Sequence, residues 1–363
     1  MAAHGTIVGL SVVAGALLAA SVVACSSSSS PDGAGHDVDG GGGDGSTSPP
    51  PVSVPAKTWT WVDLPGTKCG NGQPTGMGVY VDPESPDVVF YMAGGGGCWD
   101  GATCYGQKAA TYMESGYTKN EFESDPQALL VQSVPTGNMP LRGKSVVYIP
   151  YCTGDDHAGS NVLPYDYNGS TKTAYHVGYD NVGIALEHVA TTWPRMKRLI
   201  LMGVSAGGFG TVFNYDRVQR RFPDVRVDGI DDSGPMIEPV AGLWDIVREH
   251  WKLQLPPDCT TCTNVSGYFN FLSAKYAKGP NRFALVSYTF DSVISGYMSL
   301  PPATFNAELE ELGKNMASSW PIARYYFIPG TLHVGLAHDT SADFYAWLAA
   351  MLDDDPKWGH HPN

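Results

Sequence analysis

The sequence is poor in charge, and above all in positive charge. Charged residues make up 16% of the 363 residues, and 22 Lys plus Arg stand against 36 Asp plus Glu, which gives a formal net charge of -14. A protein that binds nucleic acid by neutralising phosphates needs the opposite balance. Nucleic-acid binding is therefore excluded as the basis of function.

Charge is absent altogether from Gly5 to Val23, and this apolar run is typical of the h-region of a signal peptide. Val22-Val23-Ala24-Cys25 resembles a bacterial lipobox. We therefore expect residues 1–24 to be a lipoprotein-type signal peptide and Cys25 to carry a lipid anchor. Met1 to His4 contain no Lys or Arg, however, and a transmembrane helix is the alternative, since about 19 uncharged residues span a bilayer.

Glycine, serine and proline dominate residues 25–56, which contain Ser26 to Ser30, Gly40 to Gly43 and Ser46 to Pro51. Such a polar stretch without periodicity cannot bury a core. We expect it to be a disordered tether that holds a domain off a membrane surface.

No internal repeat and no second linker follow, so residues 57–363 are expected to form a single domain. Short apolar runs that end in Gly or Pro predict buried strands, and helical spacing of apolar residues predicts helices between them. The predicted strands are residues 88–92, 145–150, 198–203, 225–230, 282–289 and 324–328. The predicted helices include residues 179–190, 243–253, 307–316 and 342–352. This order predicts an α/β fold with a mostly parallel central sheet flanked by helices.

Six cysteines follow Cys25, an even number that agrees with export and disulfide formation. Spacing favours two local pairs and leaves a distant one: Cys98 with Cys104, Cys259 with Cys262, and Cys69 with Cys152. A redox or zinc site is the alternative for Cys259-Thr260-Thr261-Cys262. No second CxxC or clustered His pair accompanies it, so we expect no metal.

A candidate nucleophile lies in Gly203-Val204-Ser205-Ala206-Gly207-Gly208, between a predicted strand and an apolar helix. This is the context of a GxSxG elbow, in which glycines on either side allow a strained turn that exposes the serine. The alternative is a glycine-rich, phosphate-binding turn. The acidic chain and the GxSxG spacing favour Ser205 as a catalytic nucleophile.

A serine nucleophile needs a histidine base, and the expected chain order is Ser, acid, His. His333 follows the strand at residues 324–328 and so stands at its carboxyl end, where catalytic groups collect. His338 is the competitor but lies farther from the strand end. His250 is expected to be an interfacial residue of a helix.

Two positions compete for the acid. Asp291 directly follows the strand before that of His333, and it is preferred by the usual strand order. Asp231 and Asp232 follow an earlier strand, and their alternative role is to hydrogen-bond the active-site loops. Asp232 is also a candidate substrate-binding residue.

Acyl transfer also needs donors for an oxyanion. Gly94-Gly95-Gly96-Gly97 follows the strand at residues 88–92 and is typical of a glycine loop that supplies such amides. We expect the amides of Gly96, Gly97 and Ala206 to form the oxyanion hole. A nucleotide-binding loop is disfavoured because no P-loop Lys follows.

These motifs together resemble the pectin acetylesterase family. The resemblance spans about residues 69–333 and rests on the following segments: Gly94 to Cys98 with Cys104, Tyr151-Cys152, Gly203 to Gly208, Asp231 to Gly234, Asp291 and His333. It implies an α/β-hydrolase fold and a serine esterase with the triad Ser205, Asp291 and His333. It also implies the pairs Cys69–Cys152 and Cys98–Cys104.

One departure from the family pattern concerns the glycine loop. The family has an acidic residue before the glycines and a tryptophan before the cysteine, whereas this chain has Ala93 and Gly97 there, with Trp99 displaced past Cys98. We therefore expect a different wall beside the oxyanion hole, with Trp99 as a candidate substrate-binding residue.

The sequence thus predicts an exported serine carboxylesterase of the cell envelope, lipid-anchored to a bacterial membrane, which needs no cofactor. Its expected substrate is an O-acetyl ester of a polysaccharide. A lipase, a polyester depolymerase or a protein-lipid deacylase is the alternative within hydrolases. The alternative of another class is a noncatalytic surface lipoprotein that binds carbohydrate through Trp99, Tyr165 and Tyr167.

Overall fold

The computed structural model describes residues 48–362. The predicted signal peptide, the Cys25 anchor and residues 25–47 of the predicted tether lie outside these described residues. Within them, no helix is long and apolar enough to cross a membrane. Val52 donates its backbone N–H to Thr192 Oγ1 at 2.9 Å, and Val52 and Val54 pack against the core. The packed domain therefore begins before Lys57, where the sequence placed its start.

An eight-stranded sheet forms the centre of the domain, in the order β1-β2-β4-β3-β7-β8-β9-β10. Its strands are β1 (Thr60–Asp63), β2 (Gly76–Tyr80), β3 (Asp87–Met92), β4 (Ser145–Ile149), β7 (Arg198–Val204), β8 (Arg226–Asp232), β9 (Phe283–Tyr288) and β10 (Ala323–Ile328). From β4 to β10 all neighbours are parallel, whereas β2 pairs antiparallel with β1 and β4. The predicted α/β fold with a mostly parallel sheet is confirmed.

The sequence did not predict β1 and β2, and β2 carries two glycines, which weaken a strand signal. A Cβ on Gly78 would stand 2.3 Å from the Phe122 ring, so the strand needs glycine there for close packing. A separate hairpin of β5 (Asn161–Tyr167) and β6 (Ser170–His176) was also not predicted.

Helices cover both faces of the sheet and position the loops at its carboxyl edge. They are α1 (Lys119–Phe122), α2 (Pro126–Ser133), α3 (Gly178–Thr192), α4 (Ala206–Arg221), α5 (Leu243–Trp251), α6 (Val265–Lys275), α7 (Ser292–Tyr297), α8 (Pro302–Ser319), α9 (Gly335–His338) and α10 (Ala342–Leu352), with a π-helical turn at Ala102–Gly106. Helix α8 is longer than the predicted 307–316, because Pro302 occupies its first turn, where proline is tolerated.

The core has two layers, one on each face of the sheet. Along β3, Val88, Phe90 and Met92 belong to one buried cluster, and Val89 and Tyr91 belong to the other. This follows from the two-residue period of a strand. Strands buried on both faces read as continuous apolar runs, which is why the parallel strands could be predicted from sequence.

Tyr165 lies in β5 and is only 6% exposed, and its hydroxyl hydrogen-bonds His176 Nε2 at 3.1 Å. Tyr167 is half-buried, with its ring beside Gly106. The prediction of Tyr165 as an exposed, carbohydrate-binding aromatic is therefore wrong, because the hairpin folds this ring inward.

Three disulfides link Cys69 to Cys152, Cys98 to Cys104 and Cys259 to Cys262, the pairing expected from the sequence. The first joins residues 83 positions apart and fixes the segment after β1 to the carboxyl end of β4. The last spans three positions only.

The double variant Cys69→Ser with Cys152→Ser is expected to lower the free energy of unfolding by about 4 kcal/mol, because it frees a long loop in the unfolded chain. Cys259→Ser with Cys262→Ser is the matched control, and its expected loss is about 2 kcal/mol, since the loop is short. Urea unfolding measures both. Equal losses from the two pairs would contradict this account.

Candidate active site

Ser205 lies at the tip of the sharp turn between β7 and α4, with the strained backbone angles φ 57° and ψ -121°. Its N–H donates to the Asp232 carbonyl at 2.8 Å, and its own carbonyl accepts from the Phe209 N–H at 3.1 Å. A Cβ on Gly203 would approach the Gly207 carbonyl oxygen to 2.1 Å, and one on Gly207 would approach the Met92 oxygen to 2.0 Å. Both glycines are therefore required for the turn.

Asp291 and His333 meet at the carboxyl edge of the sheet. Asp291 caps α7: its Oδ1 accepts from the N–H groups of Val293 at 2.9 Å and Ile294 at 3.0 Å. Its Oδ2 accepts from His333 Nδ1 at 2.7 Å. In the neutral imidazole this bond places the proton on Nδ1 and leaves Nε2 as the acceptor. His338, the competing histidine, lies on the short helix α9 instead.

Within residues 48–362, no hydrogen bond joins Ser205 Oγ directly to His333. The two residues are connected through the loop after β8. Asp232 accepts the Ser205 N–H, and the next residue, Ser233, accepts the Val334 N–H on its Oγ at 3.2 Å. This loop thus sets the position of the serine turn relative to the histidine loop.

The Asp232 carboxyl is fully buried and holds the histidine loop. Its Oδ1 accepts from the Gly335 N–H at 2.9 Å, and its Oδ2 accepts from the Leu336 N–H at 2.7 Å. Burial raises the pKa of Asp232 to about 6, against the opposing effect of these two amides. The prediction that Asp232 binds substrate is wrong, because both carboxyl oxygens face the protein interior.

Asp231 also lies inside the protein rather than beside His333. Its Oδ1 accepts from the Gly234 N–H at 2.8 Å, and burial raises its pKa well above the usual range. Both aspartates hydrogen-bond the loops of the site, which was the alternative expectation for them.

The glycine loop after β3 lies against the serine turn. A Cβ on Gly94 would stand 2.9 Å from Ser205 Cβ, and the Gly94 N–H donates to Gln127 Oε1 at 2.9 Å. Gly96 has a left-handed φ of 80°. Gly96, Gly97 and Ala206 line one cavity together with Ser205. Ala206 begins α4, where backbone N–H groups have no partner within the helix.

The loop after β4, which was not identified from the sequence, holds the residue that precedes the glycine loop. His157 Nε2 donates to the Ala93 carbonyl at 2.8 Å, and burial lowers the pKa of His157 to about 4, so the ring is neutral. Its neighbour Asp156 lines the same cavity as Ser205. Polar residues just after β4, at the carboxyl end of a predicted parallel strand, are the signal that could have identified this loop.

The cavity beside Ser205 has a volume of about 110 Å³ and is partly open to solvent. Its wall is overwhelmingly apolar and includes Trp99, Phe209, Phe213, Trp244, Val247 and Trp251. Trp99, the candidate substrate-binding residue, is thus part of the cavity wall. Such a lining favours an apolar ligand group.

Trp251 lies beside the glycine loop. A Cβ on Gly97 would lie 3.7 Å from the Trp251 ring, whose Nε1 donates to the Cys98 carbonyl at 2.8 Å. The indole of α5 therefore occupies the space beside Gly97. Trp251 and Gly97 thus form part of the same cavity wall.

Asp232→Asn is expected to lower kcat about 10-fold to 100-fold and leave KM within about twofold, because the amide NH₂ cannot accept one of the two backbone N–H groups that hold the histidine loop. Steady-state kinetics on an aryl ester measures this split. Asp228→Asn, also buried but in the amino-terminal half of β8, is the matched control and is expected to leave kcat within a few-fold. A rise in KM alone would restore Asp232 as a substrate-binding residue.

The family model described as Pectinacetylesterase matches residues 60–243, half of the chain, which includes the glycine loop and Ser205. Asp291 and His333 lie beyond the matched residues.

Curated relatives are palmitoleoyl-protein carboxylesterases NOTUM. The Drosophila melanogaster protein is 24% identical over 209 residues, 53% of this chain and 31% of its own length. The Mus musculus protein is 27% identical over 175 residues, which are 46% of this chain and 33% of that protein. The Homo sapiens protein is 26% identical over 175 residues, which are 46% of this chain and 34% of that protein. The chain thus spans about a third of each relative. By its family match, this chain belongs to the pectinacetylesterase family.

Proposed function

We propose that the chain is a serine carboxylesterase with the triad Ser205, Asp291 and His333. The observation that carries this proposal is the 2.7 Å bond from His333 Nδ1 to the Asp291 carboxylate, at the sheet edge that also carries the Ser205 turn. A structural turn needs no strained serine, and strain of this kind collects at functional sites. The family match and the carboxylesterase relatives support the same reaction class.

The proposed mechanism assigns one role to each group. Ser205 Oγ attacks the ester carbonyl while His333 Nε2 takes its proton, and Asp291 stabilises the imidazolium. Amides of Gly96, Gly97 and Ala206 hold the negative oxygen of the tetrahedral intermediate. The intermediate expels the alcohol, which receives the proton from His333. Water then attacks the acyl-enzyme by the same route and releases the carboxylic acid.

The substrate class that fits the cavity best is an ester with an apolar acyl chain of several carbons. The aromatic and aliphatic wall next to Ser205 offers an acyl chain contact area that an acetyl group would leave unused. The relatives are named as enzymes that act on palmitoleoyl-protein, which also carries a long acyl chain. These two observations favour the protein-lipid deacylase or lipase alternative over the acetyl ester.

An O-acetyl ester of a polysaccharide is the second candidate, and the family description Pectinacetylesterase favours it. We also propose that the protein is exported, because its six described cysteines form three disulfides, which persist in oxidising compartments. Lipid anchoring at Cys25 remains part of this proposal.

Ser205→Ala is expected to abolish covalent labelling by a fluorophosphonate, because the reagent needs an activated serine oxygen. Intact mass spectrometry measures the adduct. Ser318→Ala, on the exposed side of α8, is the matched control and should label like the parent. Equal labelling of Ser205→Ala and the parent would refute the nucleophile.

A series of aryl esters tests the substrate class. We expect kcat/KM to rise at least about tenfold from acetate to octanoate, since each methylene buried in the cavity contributes about 0.8 kcal/mol. Val247→Phe fills part of the cavity wall and should lower the octanoate-to-acetate ratio. Val240→Phe, at a 43% exposed position, is the control that should leave it unchanged. A Ser205-dependent peak at acetate would favour the acetylesterase candidate instead.

A further inference from the structure

One carboxyl group faces the apolar cavity. Among the described residues that line it, Asp156 is the one with an acidic side chain. Its Oδ1 lies 3.7 Å from the position that a Cβ on Gly97 would occupy. The carboxyl therefore stands close to the proposed oxyanion loop, at the end of the cavity where the ester would react.

The backbone around Asp156 is strained and held firmly in place. Asp156 and His157 have left-handed φ angles of 52° and 56° in succession. The Asp156 N–H donates to the Tyr151 hydroxyl at 3.0 Å, and the Asn214 amide donates to the His157 carbonyl at 3.0 Å. Two successive non-glycine residues in this conformation cost free energy, and such strain is typical of functional sites.

The Asp156 carboxyl has few partners of its own. Within residues 48–362, its one side-chain hydrogen bond comes from the Tyr151 hydroxyl to Oδ1, at a long 3.5 Å. Burial raises the pKa of Asp156 well above its usual range, and the nearby Asp155 carboxyl adds to this effect. A protonated carboxyl both donates and accepts hydrogen bonds.

An acyl chain that enters the cavity displaces water from this carboxyl. A plain alkyl chain then leaves a buried polar group without a partner, which is unfavourable, whereas a chain with a hydroxyl at the right depth replaces the lost bond. Because Asp156 lies beside Gly97, that hydroxyl must be within a few bonds of the ester carbonyl.

We propose that Asp156 is a specificity-determining residue that selects acyl groups with a hydroxyl on the second or third carbon. This rests on the proposed function, since it concerns the acyl group that Ser205 would accept. The substrate class is then a hydroxyacyl ester, whose remaining chain lies along the apolar wall.

The test compares aryl esters of butyric acid and 3-hydroxybutyric acid, each rate corrected for the ester's alkaline hydrolysis. The parent protein should favour the hydroxy ester about tenfold or more in kcat/KM, in line with the discrimination of sites that hydrogen-bond a substrate hydroxyl. Asp156→Gly, which suits the left-handed backbone, should bring the ratio near one. Asp156→Asn, which also tolerates this backbone and keeps a donor and an acceptor, should retain most of the preference.

Asp354→Gly is the matched control, because Asp354 also has a left-handed φ, of 59°, but lies outside the cavity. It should leave the ratio unchanged. Hydrolysis of both esters by the parent with a ratio that Asp156→Gly does not alter would overturn the inference and leave the proposed function standing. A lack of Ser205-dependent hydrolysis of either ester would overturn both.

Discussion

The strained, positive-φ backbone of Ser205 is the constraint on which the rest of the site depends. Its φ of 57° is unfavourable for a serine, so the surrounding structure must hold it. Glycines at 203 and 207 remove the side chains that would collide with neighbouring carbonyls, and Gly94 lets the loop after β3 approach the serine itself. The absence of these side chains thus permits the turn and also lets the glycine loop contact the nucleophile.

A buried acid, Asp232, connects the serine turn to the histidine loop on the opposite side of the site. Asp232 accepts the Ser205 N–H on its main chain and two amides of the loop after His333 on its side chain. One residue at the end of β8 therefore fixes the spacing between the serine turn and the histidine loop. Its own charge is stabilised by those amides, which oppose the cost of burial.

Sequence alone predicted the six parallel strands of the sheet, because buried strands leave apolar runs, and placed Ser205, Asp291 and His333 at strand ends. The sequence did not predict features that depend on contacts between residues far apart in the chain. The strand β2 was missed because Gly78 serves a contact with distant Phe122 and Gly76 serves one with the neighbouring strand β1. The burial of Asp232 was missed because it depends on amides about 100 residues away, which only the fold brings near.

The structure of an adduct with a long-chain alkyl fluorophosphonate tests the central claim most directly. The account predicts phosphorus bonded to Ser205 Oγ, a phosphonyl oxygen within hydrogen-bond distance of the Gly97 and Ala206 amides, and the alkyl chain along the wall that contains Trp251. A chain placed instead in the second apolar cavity, which His333 and Leu130 line, or phosphorus on another residue, would contradict it.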